Sequence, residues 1–88
     1  MGKASKLLDK ILTGKSDHNI KFNDLCSMLM KLGFDVRIKG SHYIYYKEGV
    51  QEIINIQDIN GHSKAYQVKQ VREIIINYKL EIREDDEL

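Results

Sequence analysis

From Phe34 to Lys39 apolar and charged residues alternate one for one, with Phe34, Val36 and Ile38 set against Asp35, Arg37 and Lys39. A period of two belongs to a strand with one face in a core and the other in water. Gly40-Ser41 breaks the pattern, and His42 to Lys47 resumes it with aromatic and β-branched residues. Glycine as the first of two loop residues fits a type II′ hairpin, which needs φ > 0 there. Glu48-Gly49 makes a second short break, and Gln51 to Gln57 carries Ile53, Ile54 and Ile56 as a third strand. Two tight turns in succession force an antiparallel meander. Such a sheet must bury one face against another layer.

Turn geometry then sorts the side chains. With Gly40-Ser41 as the loop, Lys39 faces His42, Ile38 faces Tyr43, Arg37 faces Ile44, Val36 faces Tyr45 and Asp35 faces Tyr46. Residues directly opposite share a face. The expected core face holds Val36, Ile38, Tyr43 and Tyr45; the open face holds Arg37, Lys39, His42, Ile44 and Tyr46. With Glu48-Gly49 as the second loop, Tyr43 faces Ile54 and His42 faces Asn55. Ile54 and Ile56 then join the core face, and Ile53 and Asn55 the open one. A slip of one residue would exchange the two sets.

The flanking segments read as helices that supply the second layer. Leu7, Leu8, Ile11 and Leu12 form a stripe within 5–13, and Gly14 can take the left-handed cap. Residues 15–21 are a polar loop. Asn23 or Asp24 is expected to cap a second helix, whose apolar face is Leu25, Met28, Leu29 and Leu32, ended by Gly33. Residues 58–64 read as a polar loop. A last helix spans 65–80 on Val68, Val71, Ile74, Ile75 and Tyr78. The expected fold is α+β, two-layered, in the order helix, helix, three strands, helix.

Composition limits what such a fold does. Eighty-eight residues with 42% hydrophobic and 31% charged side chains are ordinary for one globular domain and too few for a cofactor domain plus a substrate domain. The longest aliphatic run is Ile74-Ile75-Ile76, so no membrane span is expected. The first residues lack the apolar stretch of a signal peptide, and Lys6 stands where N-myristoylation asks for Ser or Thr. The single cysteine, Cys26, cannot form an internal disulfide, which points to a reducing, cytoplasmic setting. Net charge is +1, but residues 81–88 carry five acids and one base, which leaves +5 on residues 1–80. A basic body with an acidic tail favours a polyanionic partner.

Of the three histidines, His18 and His62 fall in polar loops, where a solvated surface role is the simpler reading. His42 is held on a strand beside a tight turn, with Lys39 and Arg37 on its own face. Imidazole exchanges a proton near neutrality, guanidinium binds phosphate oxygens bidentately, and ammonium adds a point charge. Together these are the minimum for cleaving RNA by internal transesterification. The base takes the 2′-hydroxyl proton, that oxygen attacks phosphorus, and the cations stabilise the developing charge. The plain alternative is an exposed strand histidine with no role. Lys39, Tyr46 and water are all open as the acid for the leaving oxygen. Lys69 and Arg72, with Lys64 before them, form a basic edge that suits phosphate, though a solvated helix face explains it equally. No His/Cys cluster has zinc-ligand spacing, no phosphate-loop or metalloprotease motif occurs, and no metal or other cofactor is expected.

At Gly33-Phe34-Asp35-Val36-Arg37-Ile38-Lys39-Gly40-Ser41-His42 the chain resembles the HicA toxin family. The Gly-Ser-His opening a strand, followed by Tyr43-Ile44-Tyr45, looks like that family's hallmark. The Gly-Phe at 33–34 and the Tyr-Gln-Val-Lys-Gln-Val-Arg helix at 66–72 also look like one branch of it. The resemblance covers 22–80 and implies a double-stranded-RNA-binding-domain-like fold. It also implies a metal-independent ribonuclease toxin acting on mRNA, and a HicB-family antitoxin that covers the site. His42 takes the catalytic position, with Gly40 and Ser41 before it. Residues 1–21, a helix and polar loop, and the acidic tail at 81–88 lie outside the family pattern.

The expected site is thus His42 as catalyst, with Arg37, Lys39, Gly40, Ser41, Asn55, Lys69 and Arg72 toward RNA. Ile44, Tyr46 and Ile53, apolar on the open face, are expected to contact the antitoxin, because exposed apolar side chains of this kind call for a partner. Two other classes compete: a non-catalytic RNA-binding module of the same fold, and a protein-interaction adaptor that docks through the meander.

Overall fold

The computed structural model describes residues 2–82, so the predicted acidic tail at 81–88 lies outside the described residues except for its first two positions. The chain runs α1 (Lys3–Thr13), a short 3-10 turn (Asp17–Asn19), α2 (Phe22–Lys31), β1 (Asp35–Lys39), β2 (His42–Lys47), β3 (Val50–Gln57) and α3 (Ala65–Tyr78). This is an α+β fold with a three-stranded antiparallel sheet in the order β1-β2-β3. From α2 onward it follows the expected helix–three strands–helix course, with α1 as the extra N-terminal helix.

The first hairpin pairs as the turn residues require: Lys39 with His42, Ile38 with Tyr43, Arg37 with Ile44, Val36 with Tyr45 and Asp35 with Tyr46. Gly40 has φ 59, the positive value that the first loop position of such a turn needs. The second hairpin differs from expectation. Lys47 faces Val50, but beyond an irregularity Tyr45 faces Ile54, Tyr43 faces Ile56 and His42 faces Gln57. Between the two registers Tyr46 stands against Gln51, Glu52 and Ile53, so β3 holds two extra residues. An even insertion leaves the side-chain alternation intact. The partners therefore changed while the faces did not: Tyr45, Ile54 and Ile56 are buried, and His42, Ile53 and Asn55 are exposed.

The core lies between the helices and the β2–β3 half of the sheet. Leu25, Met28 and Leu29 of α2 meet Ile54 and Ile56, along with Val68, Val71, Ile74 and Ile75 of α3 and Ile11 of α1. Each fully buried isoleucine or leucine contributes about 1.5–3 kcal/mol of transfer free energy. Ile38, expected in the core, is 58% exposed. Its face is right, but β1 is an edge strand that buries none of its residues. Leu12, expected on the α1 stripe, is 37% exposed.

Helix α2 starts earlier than the capping residues predict. Lys21 precedes the first helical residue, and no side chain caps the end. The Phe22 amide donates instead to the Gly61 carbonyl at 3.0 Å, and Ser63 N donates to Ile20 O. That pairing puts Phe22 on the helix, where its ring meets Tyr43 edge-on at 5.0 Å, a contact worth about 0.5–1.5 kcal/mol beyond burial. The partner segment is itself ordered. Ile59 and His62 exchange both backbone bonds around Asn60-Gly61, whose φ values are 52 and 85. The loop expected at 58–64 thus contains a tight two-residue turn.

Candidate active site

Strand β2 opens with His42, whose ring stands on the sheet face away from the buried core. Its Nδ1 lies 3.0 Å from Asn55 Oδ1. An amide oxygen only accepts, so Nδ1 is the donor in this bond, and in the neutral ring the lone pair is then on Nε2. Asn55 is not directly opposite His42; Gln57 is. The pair is diagonal, a separation that longer side chains bridge within one face. Gln57 Nε2 in turn donates to Ser41 Oγ at 3.3 Å, which ties the turn of the first hairpin to the end of β3.

An open cleft of ≈ 360 Å³ lies beside the imidazole, lined by His42, Ile53, Asn55, Gln57, Tyr66, Gln67 and Gln70. Three of these belong to the first turns of α3. That helix is held against β3 by Gln67, which is buried: its Nε2 donates to the Asn55 carbonyl at 3.3 Å, and its Oε1 accepts from the Lys64 amide at 3.1 Å. Gln67 is therefore a strut, and Tyr66 and Gln70, one helical turn apart, form the wall. Tyr66 is 64% exposed. A second, larger cavity of ≈ 450 Å³ between α1 and α2 has Lys3, Leu7, Asp24, Ser27 and Lys31 on its walls, with no imidazole or aromatic ring.

Most of the expected site residues share this face, but not on equal terms. Lys39 is the cross-strand partner of His42, and Arg37 stands one same-face pair further along. Both are exposed on β1 and neither lines the cleft. Gly40 and Ser41 are exposed at the turn. Ile53 is 61% and Tyr46 44% exposed, whereas Ile44 is half-buried. Lys69 is exposed on α3.

Arg72 corrects the reading of the α3 basic edge. Its Nη1 donates to Asp17 Oδ1 at 2.8 Å and to the Ile11 carbonyl at 3.2 Å. The guanidinium is committed to joining α3 to the C-terminal end of α1 and the 3-10 turn, so it is not a free phosphate ligand. Asp17 lies in a segment that the sequence reads only as polar loop, so nothing marked it as the partner of a residue 55 positions away. Gln57, Tyr66, Gln67 and Gln70 are the cleft residues that sequence reasoning missed. The i,i+4 spacing of Tyr66 and Gln70 put them on one helix side, but only the packing of α3 on β3 brings that side to His42.

Among the described residues no three His, Cys, Asp or Glu side chains gather as a metal-ligand set, and no helix is long and apolar enough to cross a membrane. Comparison with protein-family models, curated proteins and solved structures finds no match to this chain.

Proposed function

We propose that this chain is a metal-independent endoribonuclease that cleaves mRNA with His42 as its catalytic base. In this reading it is the cytoplasmic toxin of a toxin–antitoxin pair of the HicA kind. The observation that carries the reading is the His42–Asn55 pair: an exposed imidazole on a rigid strand, oriented by an acceptor on Nδ1, with Nε2 left to take a proton. The exposed cations Lys39 and Arg37 on the same face, the basic balance of residues 1–80 and the Gly40-Ser41-His42 motif support it.

Nε2 accepts the proton of the ribose 2′-hydroxyl. The 2′-oxygen attacks the adjacent phosphorus, the bond to the 5′-oxygen breaks, and that oxygen leaves with a proton. The products are a 2′,3′-cyclic phosphate and a 5′-hydroxyl. Lys39 and Arg37 stabilise the extra negative charge on the phosphorane. Lys39, Tyr46 or a water delivers the leaving-group proton. A HicB-like antitoxin that seats on Ile44, Tyr46 and Ile53 covers His42 by the same act, which inhibits by occlusion.

The order α2–β1–β2–β3–α3 also suits a non-catalytic RNA-binding module, and one experiment separates the two. Purified protein is incubated with RNA and a chelator, as wild type and as His42→Ala. The enzyme reading expects cleavage by the wild type alone, reduced by about 10²- to 10⁴-fold in the variant, with RNA affinity nearly unchanged. Intact RNA after prolonged incubation with the wild type, free of any partner, replaces it with the binding module.

A further inference from the structure

We infer that the cleft beside His42 is a nucleobase subsite, in which Tyr66 is the stacking platform and the Gln57 and Gln70 side-chain amides face the base edge. This deepens the ribonuclease reading and rests on it for the identity of the polymer. The argument starts from what the cleft walls lack. His42, Ile53, Asn55, Gln57, Tyr66, Gln67 and Gln70 include no acid, lysine or arginine. A phosphate draws little from such walls. A flat, neutral, polar-edged group draws a great deal: an aromatic face to lie on, an aliphatic side chain at Ile53, and amides that each offer a donor and an acceptor.

Tyr66 is well placed for that role. The residue is 64% exposed in the first turn of α3, whereas Val68 and Val71, the next apolar residues of the helix, are fully buried. Lys64 Nζ lies over the ring, 5.8 Å from its centroid, so a cation covers one face of the platform and the base takes the opposite face. Gln57 is oriented through the bond from its Nε2 to Ser41 Oγ, which keeps its carbonyl oxygen as an acceptor. Lys39, the cross-strand partner of His42, and Lys64, over Tyr66, put cations next to two residues of a neutral floor. This is the division of labour expected of single-strand recognition: cations track the backbone and an aromatic ring holds a base.

The test separates binding from cleavage. Fluorescent 2′-O-methyl oligonucleotides, which have no 2′-hydroxyl to attack, are titrated as A, C, G and U homopolymers and as an abasic strand. The proteins are the wild type, Tyr66→Ala, Tyr66→Phe and Gln70→Ala. Stacking on Tyr66 predicts that Tyr66→Ala weakens binding by about 5- to 150-fold, and that Tyr66→Phe, which keeps the ring, restores it. Gln70→Ala narrows the spread among the four bases, and the abasic strand binds the wild type as weakly as the others bind Tyr66→Ala. Equal binding by wild type and Tyr66→Ala, or of the abasic and base-bearing strands, overturns the subsite. So does failure of every strand to bind at low salt, which leaves the cleft to a protein. Base-dependent binding by a wild type that never cleaves 2′-hydroxyl RNA leaves the subsite standing and removes the catalytic reading alone.

Discussion

His42 and Asn55 are joined on the diagonal: the imidazole Nδ1 lies 3.0 Å from an amide oxygen on a residue two positions from its cross-strand partner Gln57. The bond selects one tautomer and one ring orientation, which a catalytic base needs and a solvated histidine does not. In the proposed reaction Asn55 is thus a positioning residue. Asn55→Ala is expected to lower kcat about 10- to 100-fold with KM nearly held, because a freely rotating ring is seldom in line. Asn55→Asp keeps an acceptor on Nδ1 but adds a negative charge that favours the imidazolium. Activity should persist, with the acid limb of the pH–rate profile moved to higher pH. An Asn55→Ala enzyme with wild-type kcat and pH profile would remove Asn55 from the mechanism.

The exposed cations of β1, Lys39 and Arg37, are expected to act on affinity and its salt dependence. Each phosphate contact to a single strand contributes about −0.7 to the slope of log K against log salt. Lys39→Ala and Arg37→Ala should each flatten that slope by about this amount and weaken binding to all sequences alike. Arg72→Ala should leave the slope as it is, because its guanidinium is already held by Asp17. Titration of RNA at several salt concentrations measures all three.

The hairpins show how far local sequence reaches. Gly40-Ser41 names its own turn, and every pair of the first hairpin follows from it. The second register was not legible, because the two extra residues of β3 sit inside a run, Gln51-Glu52-Ile53, that offers no glycine or proline to mark them. The face of His42 survived only because the insertion is even. Asn60-Gly61 is different: the signal for a tight turn was present, but the flanking Asp58, Ile59 and His62 have too little alternation to read as strands. The cleft wall was invisible for a third reason. Tyr66 and Gln70 meet His42 through tertiary packing alone, fixed by the buried Gln67 bridging to the β3 backbone.

Arg72→Ala is expected to cost stability. Both partners of its ion pair are only 17% exposed, and the same nitrogen satisfies the Ile11 carbonyl at the end of α1. Gly14, which closes that helix with φ 73, has no side chain to displace the guanidinium; a Cβ there would lie 3.1 Å from Nη1. Removing the guanidinium leaves a partly buried carboxylate unpaired and the Ile11 carbonyl with only the Gly14 amide at 3.3 Å, at about 1–3 kcal/mol. In a domain this small each kcal/mol is roughly 4–8 °C of Tm. Thermal unfolding of the variant measures the loss. A Tm within a degree or two of wild type would mean that α1 docks through Ala4, Leu7 and Ile11 alone.

Alkaline pH should unfold this domain through a pair at the helix–sheet interface. Cys26 of α2 and Tyr45 of β2 are neighbours whose side chains influence each other's proton. Burial pushes the Cys26 thiol above its ordinary value of 9.0, the adjacent Tyr45 hydroxyl opposes this, and the charge of Asp58 adds to it. Burial, followed by the adjacent Cys26 thiol, pushes Tyr45 far above its ordinary 10.0. Both groups hold their protons more tightly folded than unfolded. Their stabilisation is complete below the unfolded-state values and is lost as pH rises through and beyond them, because the unfolded chain ionises first. Tyr78 adds to the same slope from the surface, through its hydroxyl bond to Glu52 at 2.6 Å. Urea unfolding from about pH 8 to about pH 11 should therefore show stability falling steadily. Tyr45→Phe, which cannot ionise, should flatten part of that fall and leave the Tyr78 share. An unchanged slope in Tyr45→Phe would show that the hydroxyl reaches water in the folded chain and that the interface opens there.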